Sequence, residues 1–266
     1  MRTPRRCRVS VGRATVTPRV RQARIADLVR KRGRVTVEDL AGLFESSHET
    51  IRRDLTALAE AGAIQKVHGG AKLPRRREEG PFQERLGRNA AAKRVIAAKA
   101  ARLIAPGETI FIDTGSTTLL CAEEAARIAD LTVVTNSARI AAVFAEGGGE
   151  ARVFLVGGSY DGDNAETVGP MAIAQVRAFH ADHAILGAGA LDARAGAMDV
   201  SVDEAQIARA MLEHSDRVIM LADATKFDRR AAFAVCPLGR IDHLVCDRPP
   251  EGALAQALAD ASVTVQ

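Results

Sequence analysis

Between residues 25 and 58, apolar side chains recur three times at helical spacing. Ile25, Leu28 and Val29 mark a first helix, with Pro18 near its start and Gly33 just past its end. Val37, Leu40, Ala41 and Phe44 repeat at i, i+3, i+4 and i+7 and predict a short amphipathic second helix. Gly42 and the Glu45-Ser46 turn separate it from a third, whose stripe is Ile51, Leu55 and Leu58. Ser46 and Glu49 stand in S-x-x-E register, which predicts a capping box at the start of that third helix. Ala61-Gly62 stops it, and residues 64–71 read as a β-wing. Helix, helix, turn, helix, wing is the order of a winged helix-turn-helix, with the third helix placed for a DNA major groove.

From residue 109 the pattern changes. Short apolar runs at 109–113, 131–135, 153–156, 183–187, 218–222 and 241–246 predict buried strands. Helical stretches near 117–128, 138–146, 170–179, 203–214 and 251–261 lie between or after them, and 82–105 reads as a helical lead-in. Such alternation predicts an α/β domain, Rossmann-like, with a mostly parallel sheet between helices. The expected organisation is a disordered basic arm (1–17), the winged helix-turn-helix (18–73), a Pro- and Gly-punctuated linker (74–81) and a second domain (82–266).

Charge divides the same way. Residues 1–79 hold 19 Lys/Arg against 9 Asp/Glu, and residues 80–266 hold 18 against 24. A basic first part beside an acidic second part confines nucleic-acid binding to the first. The four cysteines have neither metal-ligand spacing nor a disulfide framework, which points to reduced thiols in the cytoplasm. No apolar run reaches membrane-spanning length. No metal and no cofactor are implied.

Candidate DNA contacts follow from the polar faces. Arg52 and Arg53 leave the apolar stripe, where guanidinium groups can meet phosphates or guanine edges. Ser47, His48 and Thr50 open the same helix, Thr36 precedes the second, and Lys66 and His68 lie on the wing. In the second domain, ligands of a parallel sheet bind beyond the carboxyl ends of its strands. Directly after the first strand comes Asp113-Thr114-Gly115-Ser116-Thr117-Thr118, leading into a helix. Its hydroxyls and helix N-terminal amides suit a phosphate, and the absence of a Walker pattern argues against nucleotide hydrolysis. Asn136, Gly157-Gly158, Gly187 and Lys226 lie at or just after later strand ends and are expected to share the pocket.

These segments carry a family resemblance. Arg21-x3-Ile25-x3-Val29, followed at distance by Ser47-x2-Thr50-Ile51-Arg52-Arg53-Asp54-Leu55, resembles the signature of the DeoR family of bacterial transcriptional regulators, and residues 68–71 resemble the end of its wing. Ser46 stands where that family usually has Val. The D-T-G-S-T-T turn, 131–137, 156–158 and 221–227 are similar to its effector domain, so the resemblance runs from about residue 18 to about 250. It implies a sugar-phosphate-isomerase-type fold that senses a phosphorylated sugar, a double-stranded DNA operator as partner, and repression of a carbohydrate operon relieved by the metabolite; pairing of helix-turn-helix modules across half-sites adds the expectation of a homo-oligomer.

The alternative is an isomerase fused to a DNA-binding domain. Ribose-phosphate isomerases carry a G-A-D-E-x-D segment followed by Lys-Gly-Gly-Gly. Here the counterpart is Gly187-Ala188-Gly189-Ala190-Leu191-Asp192: Asp192 survives, Gly189 replaces the first aspartate, and no Lys-Gly-Gly-Gly follows. Glu204 is a possible stray base, and reads more readily as a helix-surface carboxylate. Without a placed base the pocket is expected to bind and not to react, with Asp192 among its ligand-binding residues. A purely architectural DNA binder would not need those pocket-lining turns.

Overall fold

Pro18 opens α1 (Pro18–Arg32), at a position where its missing N–H has no helical partner to lose. The computed structural model describes residues 17–32, 34–60, 64–67, 69–72 and 80–266. After α1 come β1 (Arg34–Thr36), α2 (Val37–Phe44), α3 (His48–Glu60), β2 (Gln65–Val67) and β3 (Gly70–Lys72). The three apolar stripes meet in one core, in which Ile25, Val29, Leu40, Ile51 and Leu55 are buried. The wing is more than the single segment expected. β2 and β3 form an antiparallel hairpin, and β1 adds to β3 with Val35 opposite Ala71. Gly70 permits that approach, because a Cβ there would lie 2.2 Å from the Val35 carbonyl oxygen.

The capping box expected at Ser46 and Glu49 does not form. Ser47 caps α3 instead, its Oγ accepting from the Thr50 amide at 3.1 Å. Glu45 takes a left-handed conformation (φ +47°) to close α2, which leaves Ser46 in the turn with its hydroxyl donating to the Phe44 carbonyl. The helix therefore starts one residue later than the S-x-x-E spacing suggests.

The chain separates into two units, Met1–Arg76 and Arg77–Gln266. The division falls inside the expected linker, most of which, like the expected arm, lies outside the described residues. In the second unit the run expected as one helix is two, α4 (Phe82–Gly87) and α5 (Ala90–Ala101), broken where Asn89 turns left-handed (φ +56°). Then follow β4 (Thr109–Ile112), α6 (Ser116–Ala125), β5 (Thr132–Thr135), α7 (Ala138–Glu146), β6 (Arg152–Leu155), β7 (Ser159–Asp161), β8 (Glu166–Val168), α8 (Pro170–Val176), β9 (Ala181–Gly187), β10 (Ala190–Asp192), β11 (Gly196–Asp199), α9 (Val202–Glu213), β12 (Ser215–Leu221), β13 (Phe233–Cys236), β14 (His243–Val245), α10 (Gly252–Asp260) and β15 (Thr264–Val265).

Seven strands form one parallel sheet in the order β15-β14-β12-β9-β4-β5-β6. Alternate residues of β4 serve opposite faces. Ile110 and Ile112 join the core beneath α4 to α7, and Phe111 joins the core beneath α8 to α10. The chain builds from β4 outward through β5 and β6, then returns to lay β9 on the other side of β4. That reversal leaves a crevice beyond the carboxyl ends of β4 and β9, the place where such sheets hold ligands. Among the described residues, no helix is long and apolar enough to cross a membrane.

Candidate functional site

On the first unit, α3 presents His48, Arg52 and Arg53 to solvent, with Thr50 half-buried at its start. Arg53 pairs with Glu49 at 3.4 Å, and the pair is exposed on both sides. Ser47 and Thr36 are exposed, and each hydroxyl caps a helix: Ser47 for α3, and Thr36 for α2 by accepting from the Asp39 amide at 3.1 Å. From the wing, Lys66 Nζ donates to Thr56 Oγ1 at 2.9 Å, and that hydroxyl donates to the Arg52 carbonyl at 2.8 Å, so wing and α3 are braced together. His68 lies outside the described residues.

On the second unit, a cleft occupies the crevice at the sheet's reversal. The turn after β4 forms its floor. Gly115 adopts φ +148°, a region that favours glycine, and so delivers Ser116 to the first position of α6. Asp113 Oδ1 accepts from the Thr114 amide at 2.7 Å, and Thr118 Oγ1 donates back to the Gly115 carbonyl at 3.0 Å. Thr114 is 4 % exposed, and its hydroxyl has no hydrogen-bond partner among the described residues. Gly187, the last residue of β9, and Lys226, in the turn after β12, line the same cleft. Asp223 holds that turn, accepting from the Thr225 amide at 3.0 Å and from Asn89 Nδ2 at 3.2 Å.

Four expected residues are not among the cleft's walls. Asn136 and Gly157-Gly158 follow β5 and β6, which lie on the far side of β4, one and two strand spacings of about 4.8 Å away. Asn136 is fully buried and donates to Glu166 and to the Thr167 carbonyl, both at 3.3 Å. The Gly157 amide donates to Gln175 Oε1 on α8 at 2.9 Å. Asp192 closes the β10–β11 turn, accepting from the amides of Arg194 and Ala195, and it grips Arg230 through both oxygens. The Arg230 hydrogen bond, with those two amides, holds its carboxyl at about 2.

The sequence pattern does not reveal much of the remaining wall. Lys93, on α5, is 5 % exposed; its ammonium donates to Ser116 Oγ at 2.8 Å and to the Arg85 carbonyl. Glu204 is no surface carboxylate: it is 9 % exposed, lines the cleft and accepts from Asn164 Nδ2 at 3.4 Å. Asp199 and Arg85 complete the interior, and Arg85 Nη2 donates to Asn164 Oδ1 at 2.5 Å. Burial, then the charges of Glu166, Glu204 and Asp199, push the Asp113 carboxyl well above its usual range. Alanine-rich α5 has no periodic polar signal, so Lys93 looks like an ordinary helix former.

The cleft thus has two chemistries. Around the start of α6, hydroxyls, amides and Lys93 favour an anion. Asp199 and Glu204, whose charges act on Asp113 of the same turn, offer acceptors for hydroxyl groups. Among the described residues no group of His, Cys, Asp or Glu could hold a metal ion. Burial pushes the Cys121 thiol up to about 12 and Cys236 up to about 11, so neither thiol is a nucleophile at neutral pH.

Comparison with known proteins covers both units. The DeoR-like helix-turn-helix domain matches residues 21–77, and the DeoR C terminal sensor domain matches residues 88–248. The HTH-type transcriptional repressor CsqR of Escherichia coli is 30 % identical over 250 residues, which cover 94 % of this chain and 95 % of that one. The glycerol-3-phosphate regulon repressor of the same organism is 31 % identical over 242 residues, covering 91 % and 96 %. The transcriptional repressor AccR of Agrobacterium fabrum is 34 % identical over 229 residues, covering 85 % and 88 %.

Proposed function

We propose, from the premise that this chain belongs to the DeoR family of transcriptional regulators, that it represses a carbohydrate operon until a phosphorylated sugar occupies its cleft. DNA binds the first unit. In this reading Arg52 and Arg53 carry the major-groove contacts, Ser47, His48 and Thr50 meet the backbone at the start of α3, and Lys66, His68 and Thr36 flank them. A helix-turn-helix module gains affinity by pairing across half-sites, so the working unit is at least a dimer. Sedimentation of the full chain as a monomer at micromolar concentration would contradict that. The chromosome places the regulator in the cytoplasm.

The observation that carries the sensor reading is the pairing of opposite chemistries in one cleft. The hydroxyl turn before α6, with Lys93 and Lys226, matches a phosphate, and Asp199 and Glu204 match the hydroxyls of a short polyol. A relative's name carries glycerol 3-phosphate, a compound of that description, and it belongs in any ligand panel. The isomerase alternative loses support. Proton transfer between adjacent carbons needs a base within reach of substrate; Asp192, which the resemblance to isomerases singled out, is spent on a turn and on Arg230, so a base role would fall to the cleft carboxylates Glu204 or Asp199.

Calorimetry of the full chain against phosphorylated sugars and their unphosphorylated parents tests this reading. At least one phosphate ester is expected to bind, its parent to bind at least about tenfold more weakly, and neither to be converted. Turnover of any phosphate ester, or equal binding of ester and parent, would overturn it.

A further inference from the structure

The third helix carries a charge where its packing pattern calls for an apolar side chain. Ile51, Asp54, Leu55 and Leu58 stand at i, i+3, i+4 and i+7, and all four are buried, Asp54 to 3 % exposure. Both of its carboxylate oxygens are taken by successive residues of α1. Arg21 Nε donates to Oδ2 at 2.5 Å, and Gln22 Nε2 donates to Oδ1 at 2.9 Å. The Arg21 side chain is itself only 12 % exposed. That guanidinium therefore points into the domain and not toward a phosphate, although Arg21 opens the same signature as the arginines of α3.

A buried ion pair is a weak source of stability, because desolvation offsets most of the attraction and an apolar replacement is often as stable. Direction is what it adds. Leucine and isoleucine contacts tolerate a small slide or roll between helices, whereas two hydrogen bonds aimed at two oxygens do not. Arg52 and Arg53 sit immediately before Asp54 and face solvent. At about 6 Å from a helix axis, a roll of about 10° moves a side-chain tip by about 1 Å. Geometry for a directed contact must hold to within about 0.5 Å.

We propose that Asp54 is a positioning residue for sequence readout: with Arg21 and Gln22 it fixes the roll of α3 on α1, and so decides which base edges Arg52 and Arg53 can reach. Its contribution lies in discrimination between DNA sequences, and much less in stability or in attraction to the DNA backbone.

The experiment begins by selecting a preferred duplex from a random pool with the wild-type full chain. Failure at that step would count against DNA binding itself and is thereby separated from failure of the positioning role. Binding to the selected duplex and to a scrambled duplex of equal length is then compared for wild type and for R21M/D54L, alongside thermal melting. The double variant is expected to melt close to wild type and to hold scrambled DNA with little change. Its preference for the selected duplex should fall at least about fivefold, the lower end for removing one bidentate pairing with a base. If the double variant does not fold, R21K decides, since it keeps the charge but replaces the planar guanidinium that donates to Oδ2 with an ammonium on a flexible stem. A reduced preference at unchanged melting supports the proposal. An unchanged preference, or a loss that tracks melting and scrambled-DNA affinity together, overturns it.

Discussion

Arg52 and Arg53, to which the proposed reading assigns DNA recognition, both reach into solvent. Exposed i,i+4 pairs such as Glu49–Arg53 are worth about 0.3–0.5 kcal/mol, too little to keep Arg53 from a phosphate. R52A/R53A should leave melting unchanged and abolish operator footprints. The salt slope should also become shallower by about 0.9 for every phosphate that is no longer neutralised. A footprint that survives the double substitution would remove α3 from the interface. In the second unit, Asp113 sets a pH dependence. Burial and neighbouring carboxylates raise its pKa, so the folded chain keeps a proton that the unfolded chain has released. Stability from this group is full below the ordinary carboxylate range and is lost as pH rises toward the folded value. D113N should therefore melt near wild type at pH 4 and above it at pH 7; a gap that does not widen with pH would contradict the assignment. The hydroxyl turn at 113–118 was legible because its residues are consecutive and follow a strand. Lys93, Asp199 and Glu204 were not, because three separate elements bring them together and none is unusual in its own segment.

Elements were legible in proportion to the length of their apolar pattern. The central parallel strands are continuous apolar runs and emerge within a few residues of their true limits, as do α1 and α2. The short antiparallel strands β10, β11 and β13 span three or four residues and gave no periodic signal. The start of α3 shows a finer failure. S-x-x-E and S-x-x-T registers overlap at Ser46 and Ser47, and the left-handed Glu45 decides between them by setting where the turn ends. S47A should destabilise the first unit by about 1 kcal/mol, the usual worth of a serine cap, and S46A by much less. Equal losses in denaturant melts would return the cap to Ser46. Strand order is the other thing that pattern did not supply. Every strand end with a Gly or Asn looked like a wall of one pocket, yet the cleft is lined from the ends of β4, β9 and β12, and the ends of β5 and β6 lie away from it.

At the scale of the whole molecule, a basic unit that grips DNA is joined to an acidic unit that holds a cleft, and regulation requires the two to be coupled. Coupling of this kind is about 1–3 kcal/mol, or roughly 5- to 150-fold in affinity, and it acts equally in both directions. The most direct measurement is operator binding titrated with a phosphate ester found to bind, in wild type and in K226A, followed by the reverse titration of ester with operator present. For wild type, the ester should weaken operator binding, and operator should weaken ester binding by the same factor. K226A should hold operator as wild type does and fail to respond. An ester that binds the wild-type cleft without changing its hold on DNA, or a K226A chain released as readily as wild type, would contradict the account.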